Sequence, residues 1–347
     1  MTRKLATIQT IKALTPIVGA DMIELATFAD IGWQCVVKKG EFQVGDLCVY
    51  FEIDSLLPLR PEFEFLARGN NPKKTLLDNG KVVEGFRLKT IKLRGQLSQG
   101  LALPLAVAFG DKKSEIDISN LELGVDVSEI LGVYKYEPPI SPQLEGLVKG
   151  NFPSFIPKTD EIRIQTCWEI MQKYLDREWC ASIKYDGASC TMYRYENNFG
   201  VCSRNLELLE TDQNAMWQIA NKYELKDKLP EGFAIQGEIY GEGIQSNPHK
   251  VKGVNYKIFN VYDIANAKYL SLEKMSEFVA KIDLELVEIF DYGQKDLQNM
   301  TADKLLEIAD KCGLEGLVFR PREELRDPEF GRVSFKVISN KYLLKEE

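Results

Sequence analysis

Five prolines fall within LGVYKYEPPISPQLEGLVKGNFPSFIPKTD, residues 131–160. Proline fixes its own φ, removes a backbone donor and restricts the residue before it. A stretch this rich in proline and this weakly periodic makes a poor strand or helix and a good connector. The break splits the 347 residues into two regions of different texture, which is the number of domains the length suggests. A first domain is expected over residues 1–130, a connector over 131–150 and a second domain over 151–347.

Before the break, LATIQTIKAL, WQCVVKKGEFQVGDLCVYFEI and GFRLKTIKLRGQLSQGLALPL show period-two segments punctuated by Gly-Asp and Gly-Gln pairs. Such segments, with turns about every ten residues, predict a small β-barrel. After the break, EWCASIKYD, CTMYRYENNFGVCSR, FAIQGEIYG and YKIFNVYDI read as strands and EIRIQTCWEIMQKYL as a helix. Two further helices carry apolar stripes, Met275, Phe278, Val279 and Ile282 in one, and Leu305, Ile308, Ala309 and Cys312 in the other. Thr301 is placed to cap the second of these and Gly313 to stop it. The stripes are core and carry no chemistry.

Composition narrows the chemistry. With 44% hydrophobic and 28% charged residues the chain reads as a soluble globular protein, and no run approaches the roughly 18 apolar residues of a membrane span. The first sixteen residues lack the apolar core of a signal peptide, so a cytoplasmic location without membrane partners is expected. Seven cysteines stand singly, which argues against zinc and a disulfide framework. The lone histidine, His249, lies in the loop-like QSNPHK, so catalysis is expected to rest on Lys, Asp, Glu and Arg. A net charge of −8 disfavours nonspecific coating of nucleic acid but leaves room for a locally basic groove.

Charged side chains inside strand-forming stretches are costly to bury unless paired or bound to a ligand. They recur in order through the second region: Lys184 and Asp186 in SIKYDGAS, Arg204 and Asn205 in SRN, Glu238 in QGEIYGE, Asp263 after Phe259 in FNVYDI, Glu315 in LEGLVFR and Lys336 in SFKVISNKYL. Singly, each has a bland reading as a surface charge or a core aromatic, and K-x-D-G alone is within reach of chance. Several in one domain point to a shared pocket. In the first region, Arg87, Lys89, Lys92 and Arg94 form a compact basic segment suited either to following a phosphate backbone or to protecting a strand edge.

The ordered series K-x-D-G, S-R-N, G-E, F-x-x-x-D-I, E-G and S-x-K resembles the motifs of the covalent nucleotidyltransferases, the superfamily of polynucleotide ligases and RNA capping enzymes. With the barrel ahead of the transferase, and SRN where DNA ligases have plain S-R, the chain is similar over almost its whole length to ATP-dependent RNA ligases of the Naegleria and Deinococcus type. The resemblance implies an α+β protein of two domains. An N-terminal OB-fold β-barrel is followed by an ATP-grasp-like, DNA ligase-type nucleotidyltransferase domain with antiparallel sheets flanked by helices.

ATP and Mg²⁺ or Mn²⁺ are the implied cofactors. The implied reaction is adenylylation of Lys184, transfer of AMP to an RNA or DNA 5′-phosphate, and sealing to an RNA 3′-OH, as in repair of a nicked duplex by a monomer. By the same resemblance Asp186, Glu238 and Glu315 serve the metal, with Glu238 also near the ribose, and Lys158 and Arg163 serve the β- and γ-phosphates. Ile183, Arg204, Phe259 and Lys336 serve the nucleotide, Phe259 by stacking on adenine, and Asn205 serves the nucleic acid together with Arg87, Lys89, Lys92 and Arg94. Where many relatives have K-x-K, this chain has Ile338 at the second lysine. Lys341, expected on the opposite face of a regular strand, is the remaining candidate. Desolvation and a cation such as Lys336 are expected to favour loss of the Lys184 proton. The competing readings are a DNA ligase, a GTP-dependent capping guanylyltransferase, and an OB-fold nucleic-acid-binding protein with an inactive pocket.

Overall fold

The strand Ala6–Pro16 organises the first part of the chain. Its first half pairs with Leu47–Phe51 and its second half with Ile23–Phe28, and a bulge between Ile11 and Ala13 bends it where the partner changes. Leu101–Pro104 and Gln34–Lys38 add the outer strands of this five-stranded sheet. A second sheet runs in the order Tyr134–Lys135, Ser55–Pro58, Val82–Arg87 and Lys73–Leu76, and Thr90–Leu93 forms a hairpin with Gln96–Gln99. Residues alternate between buried and half-buried along Ile23–Phe28, as the sequence pattern predicts. Ile8, Val49, Phe51, Leu57, Phe86 and Leu103 meet in one core.

The computed structural model describes residues 3–77, 79–111, 121–138, 146–292, 294–328 and 330–345. The chain divides into two compact units, residues 1–140 and 141–345. Both ends of the stretch expected as a connector are drawn into these units by strand pairing. Tyr134–Lys135 pairs with Ser55–Pro58 in the first, and Val148–Asn151 pairs with Leu206–Leu208 in the second. The middle of that stretch, residues 139–145, lies outside the described residues.

Two sheets build the second unit. One has seven strands, in the order Val148–Asn151, Leu206–Leu208, Asn198–Cys202, Ala188–Tyr195, Phe233–Gly241, Val254–Asp263 and Lys268–Tyr269. The other has five, in the order Ile162–Arg163, Phe335–Ile338, Gly316–Pro321, Trp179–Lys184 and Ile289–Tyr292. All neighbours are antiparallel except Ile162–Arg163, which runs parallel to Phe335–Ile338.

Each sheet has one helix-backed apolar face. Met192, Ile235, Ile239 and Ile258 of the larger sheet pack on Trp217 and Ile219 of helix Ala215–Lys222 and on Val279 of helix Leu272–Lys281. Trp179, Ala181, Phe319 and Phe335 of the smaller sheet pack on helices Ile164–Met171 and Ala302–Cys312. Thr301 caps the latter by accepting from the Lys304 N–H, and Gly313 ends it in the left-handed conformation. Cys312, expected in the apolar stripe, is instead exposed at the helix's last position, where the chain turns away, and Leu306 is buried in the stripe. Among the described residues no helix is long and apolar enough to cross a membrane.

Candidate active site

Alternation along paired strands sends the polar residues of both sheets to the faces the helices do not cover. On the seven-stranded sheet, Ser189, Glu238 and Lys257 lie in one cross-strand row and Thr191, Gln236 and Asn260 in the next. On the five-stranded sheet, Lys184 lies opposite Gly316, while Ser182, Val318 and Lys336 form the adjoining row. Arg163 shares a register position with Lys336 and is buried. Contacts cross from one sheet to the other, as when Arg320 bonds to Asn260. Lys184 and its candidate partners therefore occupy a polar cleft between two sheets of one unit.

Lys184 ends its strand and is ion-paired with Glu315, its Nζ 2.5 Å from Oε1, with 29% of its side chain exposed. Burial works against its charge, but the carboxylates of Glu315 and Glu238 outweigh that and hold the ammonium above its ordinary pKa. The expectation of a lysine biased towards losing its proton is thus reversed by its two carboxylate neighbours. Its cause is charge balance: two carboxylates act on the amine, and Lys336 is engaged elsewhere. Glu238 carries the counterpart of this effect. Burial pushes its carboxyl up to about 8, with Glu315 and Asp186 adding to the rise and Lys184 and Arg204 opposing it.

Lys336 and Arg204 converge on a residue the motif series did not include. Oδ1 of Asp160 lies 3.4 Å from Lys336 Nζ and 3.5 Å from Arg204 Nη2. The segment bearing Asp160 lies along the polar face of the larger sheet, with Thr159 Oγ1 3.3 Å from Ser189 Oγ and the Pro157 carbonyl accepting from Gln236 Nε2 at 2.8 Å. Lys158 in this segment is exposed. Next to Lys184, the Asp186 N–H donates to His249 Nε2 at 3.1 Å, and the His249 ring lies against those of Tyr185 and Tyr240. His249 therefore supports the loop that follows the nucleophile. The motif glycines allow close backbone approach: a Cβ on Gly187 would stand 2.1 Å from the Ile239 carbonyl oxygen, and one on Gly316 2.2 Å from that of Val337.

Of the other expected residues, some line the cleft and some do not. Ile183 packs against the helix-backed core and its N–H donates to the Glu288 carbonyl, because neighbours on a strand point to opposite faces. Lys341 is not on a strand at all; it lies in the short helix Asn340–Leu343, capped by Ser339, where its N–H donates to Asp310 at 3.1 Å. Asp263 accepts from the backbone and side chain of Asn266 in a turn. Asn205 sits in the turn between Asn198–Cys202 and Leu206–Leu208, its carbonyl accepting from the Phe152 N–H. Phe259 is half-buried and lines a small crevice with Ser182, Leu270, Met275 and Arg320. In the first unit, Arg87 is paired with Asp54 at 2.7 Å and lies over the Tyr136 ring, whereas Lys89, Lys92 and Arg94 are exposed on or beside the Thr90–Gln99 hairpin.

Among the described residues no three His, Cys, Asp or Glu side chains stand close enough to cage a metal ion by themselves. The donor chemistry nonetheless fits a divalent cation. Asp186, Glu238 and Glu315 are hard oxygen donors; Glu315 is ion-paired with Lys184, Glu238 acts on the same charge, and a cation beside Glu238 would oppose the burial that raises its carboxyl. A cation that keeps part of its water shell suits such a set.

Two family models match the chain: an OB-fold domain over residues 5–105 and RNA ligase over residues 177–338. No curated protein matches it. Among solved structures, the Naegleria gruberi RNA ligase in a glutamate-to-alanine form with AMP and Mn is 39% identical, with a TM-score of 0.82 over 98% of each chain. The same ligase with pyrophosphate is 40% identical, with a TM-score of 0.81 over 99% of this chain and 98% of that one. A lysine-to-alanine form with ATP and Mn is 39% identical, with a TM-score of 0.82 over 98% of each chain. With its two domains in the same order and nearly its full length aligned at this identity, the chain belongs to the RNA ligase family.

Proposed function

We propose that the protein is an ATP-dependent RNA ligase whose covalent nucleophile is Lys184. The observation that carries this reading is the ion-paired lysine at a strand end, in a cleft that also gathers Glu238, Arg204 and Lys336. The Naegleria gruberi ligase structures hold ATP, AMP and pyrophosphate, which are the donor, the retained group and the leaving group of lysine adenylylation.

In the first step the Lys184 Nζ lone pair forms a bond to the α-phosphorus of ATP as the bond to the bridging oxygen breaks and pyrophosphate departs. The ammonium must first lose a proton, which passes to solvent at the part-exposed Nζ, and movement of Glu315 away from Nζ removes the charge that strengthens its hold. A divalent cation held by Asp186, Glu238 and Glu315 would supply charge neutralisation for the triphosphate. Lys336 and Arg204 exchange Asp160 for the α-phosphate and the ribose, Arg163 and Lys158 meet the outer phosphates, and Phe259 stacks on the base.

AMP then passes to a nucleic-acid 5′-phosphate, and attack by an RNA 3′-OH on that phosphate releases AMP and closes the strand. Asn205 and the exposed hairpin cations Lys89, Lys92 and Arg94 serve the nucleic acid in this reading, and the substrate is a nicked duplex sealed by a monomer. Seven cysteines, none of them in a disulfide among the described residues, suit a reducing compartment such as the cytoplasm.

Intact mass after incubation of deadenylylated protein with ATP and Mn²⁺ is the direct test. Wild type gains one AMP and Lys184→Ala gains none; no adduct on wild type, or an adduct retained by Lys184→Ala, would remove the mechanism. Nicks ending in a ribose or a deoxyribose 3′-OH then separate RNA sealing from DNA sealing.

A further inference from the structure

A chain of buried polar groups joins the two sheets of the second unit, and the reaction as written gives it no part. Gln236 pairs with Asn260 and Gly237 with Ile258, so Phe259 is the extra residue of a β-bulge. A bulge takes its extra residue off the hydrogen-bond ladder and re-aims its side chain. The Phe259 carbonyl is met from the opposite sheet by Arg320 Nη1 at 2.7 Å, and the same Nη1 donates to Asn260 Oδ1 at 2.6 Å. Asn260 Nδ2 donates to Gln236 Oε1 at 3.1 Å, and Gln236 Nε2 to the Pro157 carbonyl at 2.8 Å. Arg332 Nη1 adds a third bond, to Asn260 Oδ1 at 3.1 Å, while its guanidinium lies 3.8 Å from the centre of the Tyr269 ring. Asn260 is 2% exposed and Gln236 fully buried, so loss of the bond between them leaves the Gln236 oxygen buried without its donor, while Asn260 Oδ1 is held by two guanidinium donors.

We propose that Arg320 is a positioning residue for the nucleotide base. By holding the carbonyl of Phe259 and the side chain of Asn260 it fixes the bulge, and with it the direction of the Phe259 ring. Through Asn260 and Gln236 the same frame fixes Pro157, the start of the segment that carries Asp160 and Arg163. This function calls for arginine: a planar guanidinium reaches the carbonyl and the amide together in a set geometry, which a lysine ammonium on a flexible stem does not. The inference rests on the reading of Phe259 as the base-stacking residue.

The test compares Arg320→Lys, Phe259→Ala and the double variant in full-length protein. It measures the ATP KM and kcat of lysine adenylylation and the fluorescence quenching of 2-aminopurine riboside triphosphate on binding. Arg320→Lys is expected to raise the ATP KM about tenfold with kcat within about twofold, and to weaken the quenching that stacking causes. It adds nothing further in the Phe259→Ala background. Wild-type KM and quenching in Arg320→Lys, with both altered in Phe259→Ala, would overturn the positioning role and leave the stacking reading intact. Unchanged values in Phe259→Ala would overturn both. Should Arg320→Lys fail to fold, Asn260→Ser removes the amide that holds the guanidinium and leaves Arg320 in place. A raised KM there supports the proposal and a wild-type KM overturns it.

Discussion

The two units use polar residues differently. In the barrel the main core is apolar, and charges meet in separate pairs, half-buried on the rim for Arg87 with Asp54 and reaching a buried carboxylate for Arg3 with Glu52. In the ligase unit each sheet turns its apolar face to helices and its polar face to the cleft, where Lys184, Glu238, Gln236, Asn260 and Arg320 are brought inward. Apolar packing tolerates small errors, whereas a buried polar seam holds only if each partner is met. Sensitivity to substitution should therefore differ between the units.

The largest difference is expected between a strand glycine and a turn glycine, a contrast of local packing that both units contain, since a Cβ on Gly85 of the barrel would stand 2.1 Å from the Leu57 carbonyl oxygen. Gly316→Ala sets a Cβ against the Val337 carbonyl of a paired strand, which must move, and a loss of about 3 kcal/mol or more follows. Gly40→Ala in the barrel meets nothing within 4 Å and incurs only left-handed strain, about 1–2 kcal/mol. Urea midpoints of the two variants check this, and equal losses would break the contrast.

A smaller effect separates the units by pH. The Glu238 carboxyl is raised to about 8 in the folded chain, so the folded state binds its proton more tightly than the unfolded state. Stability is lost as pH climbs from the ordinary carboxylate range through about 8. In chelator, Glu238→Gln should raise the thermal midpoint by several degrees at about pH 8.5, on the order of 2 kcal/mol, and by much less at about pH 5. A gain independent of pH would refute the assignment.

The smallest effect concerns the barrel's cations. Lys92→Glu with Arg94→Glu, on the exposed hairpin, should lower RNA affinity and cut the salt dependence of binding by about two units of log–log slope, with lysine adenylylation unchanged. Arg87→Ala, in a half-buried pair, should instead cost about 1 kcal/mol of stability and little RNA affinity. Equal binding losses in the two would show that the rim pairs carry no special weight.

Legibility followed the same divide. The barrel strands could be read from period two, and Lys184, Glu315 and Lys336 from ordered motifs, because each signal sits in a short run of sequence. Asp160, Gln236, Asn260 and Arg320 escaped notice because each alone looks like an ordinary polar residue in a strand or turn, and their meaning appears only across the gap between sheets. A signal was nevertheless present: Gln236 and Glu238 alternate with apolar residues in FAIQGEIYG, which marks a face that is neither core nor open surface. The Lys184 protonation state could not be read, because it depends on the summed field of Glu315 and Glu238. Lys341 was placed on a strand because SFKVISNKYL keeps its apolar residues past Ser339, where a capped helical turn begins.

Asp160 gives the cleft a counter-ion from its own chain. Lys336 and Arg204 repel each other, and a carboxylate from the same chain offsets part of that repulsion at no cost in translational freedom. If these two cations bind the nucleotide as proposed, its entry is an ion exchange, in which the incoming anion displaces a tethered one and affinity measures the difference between the two.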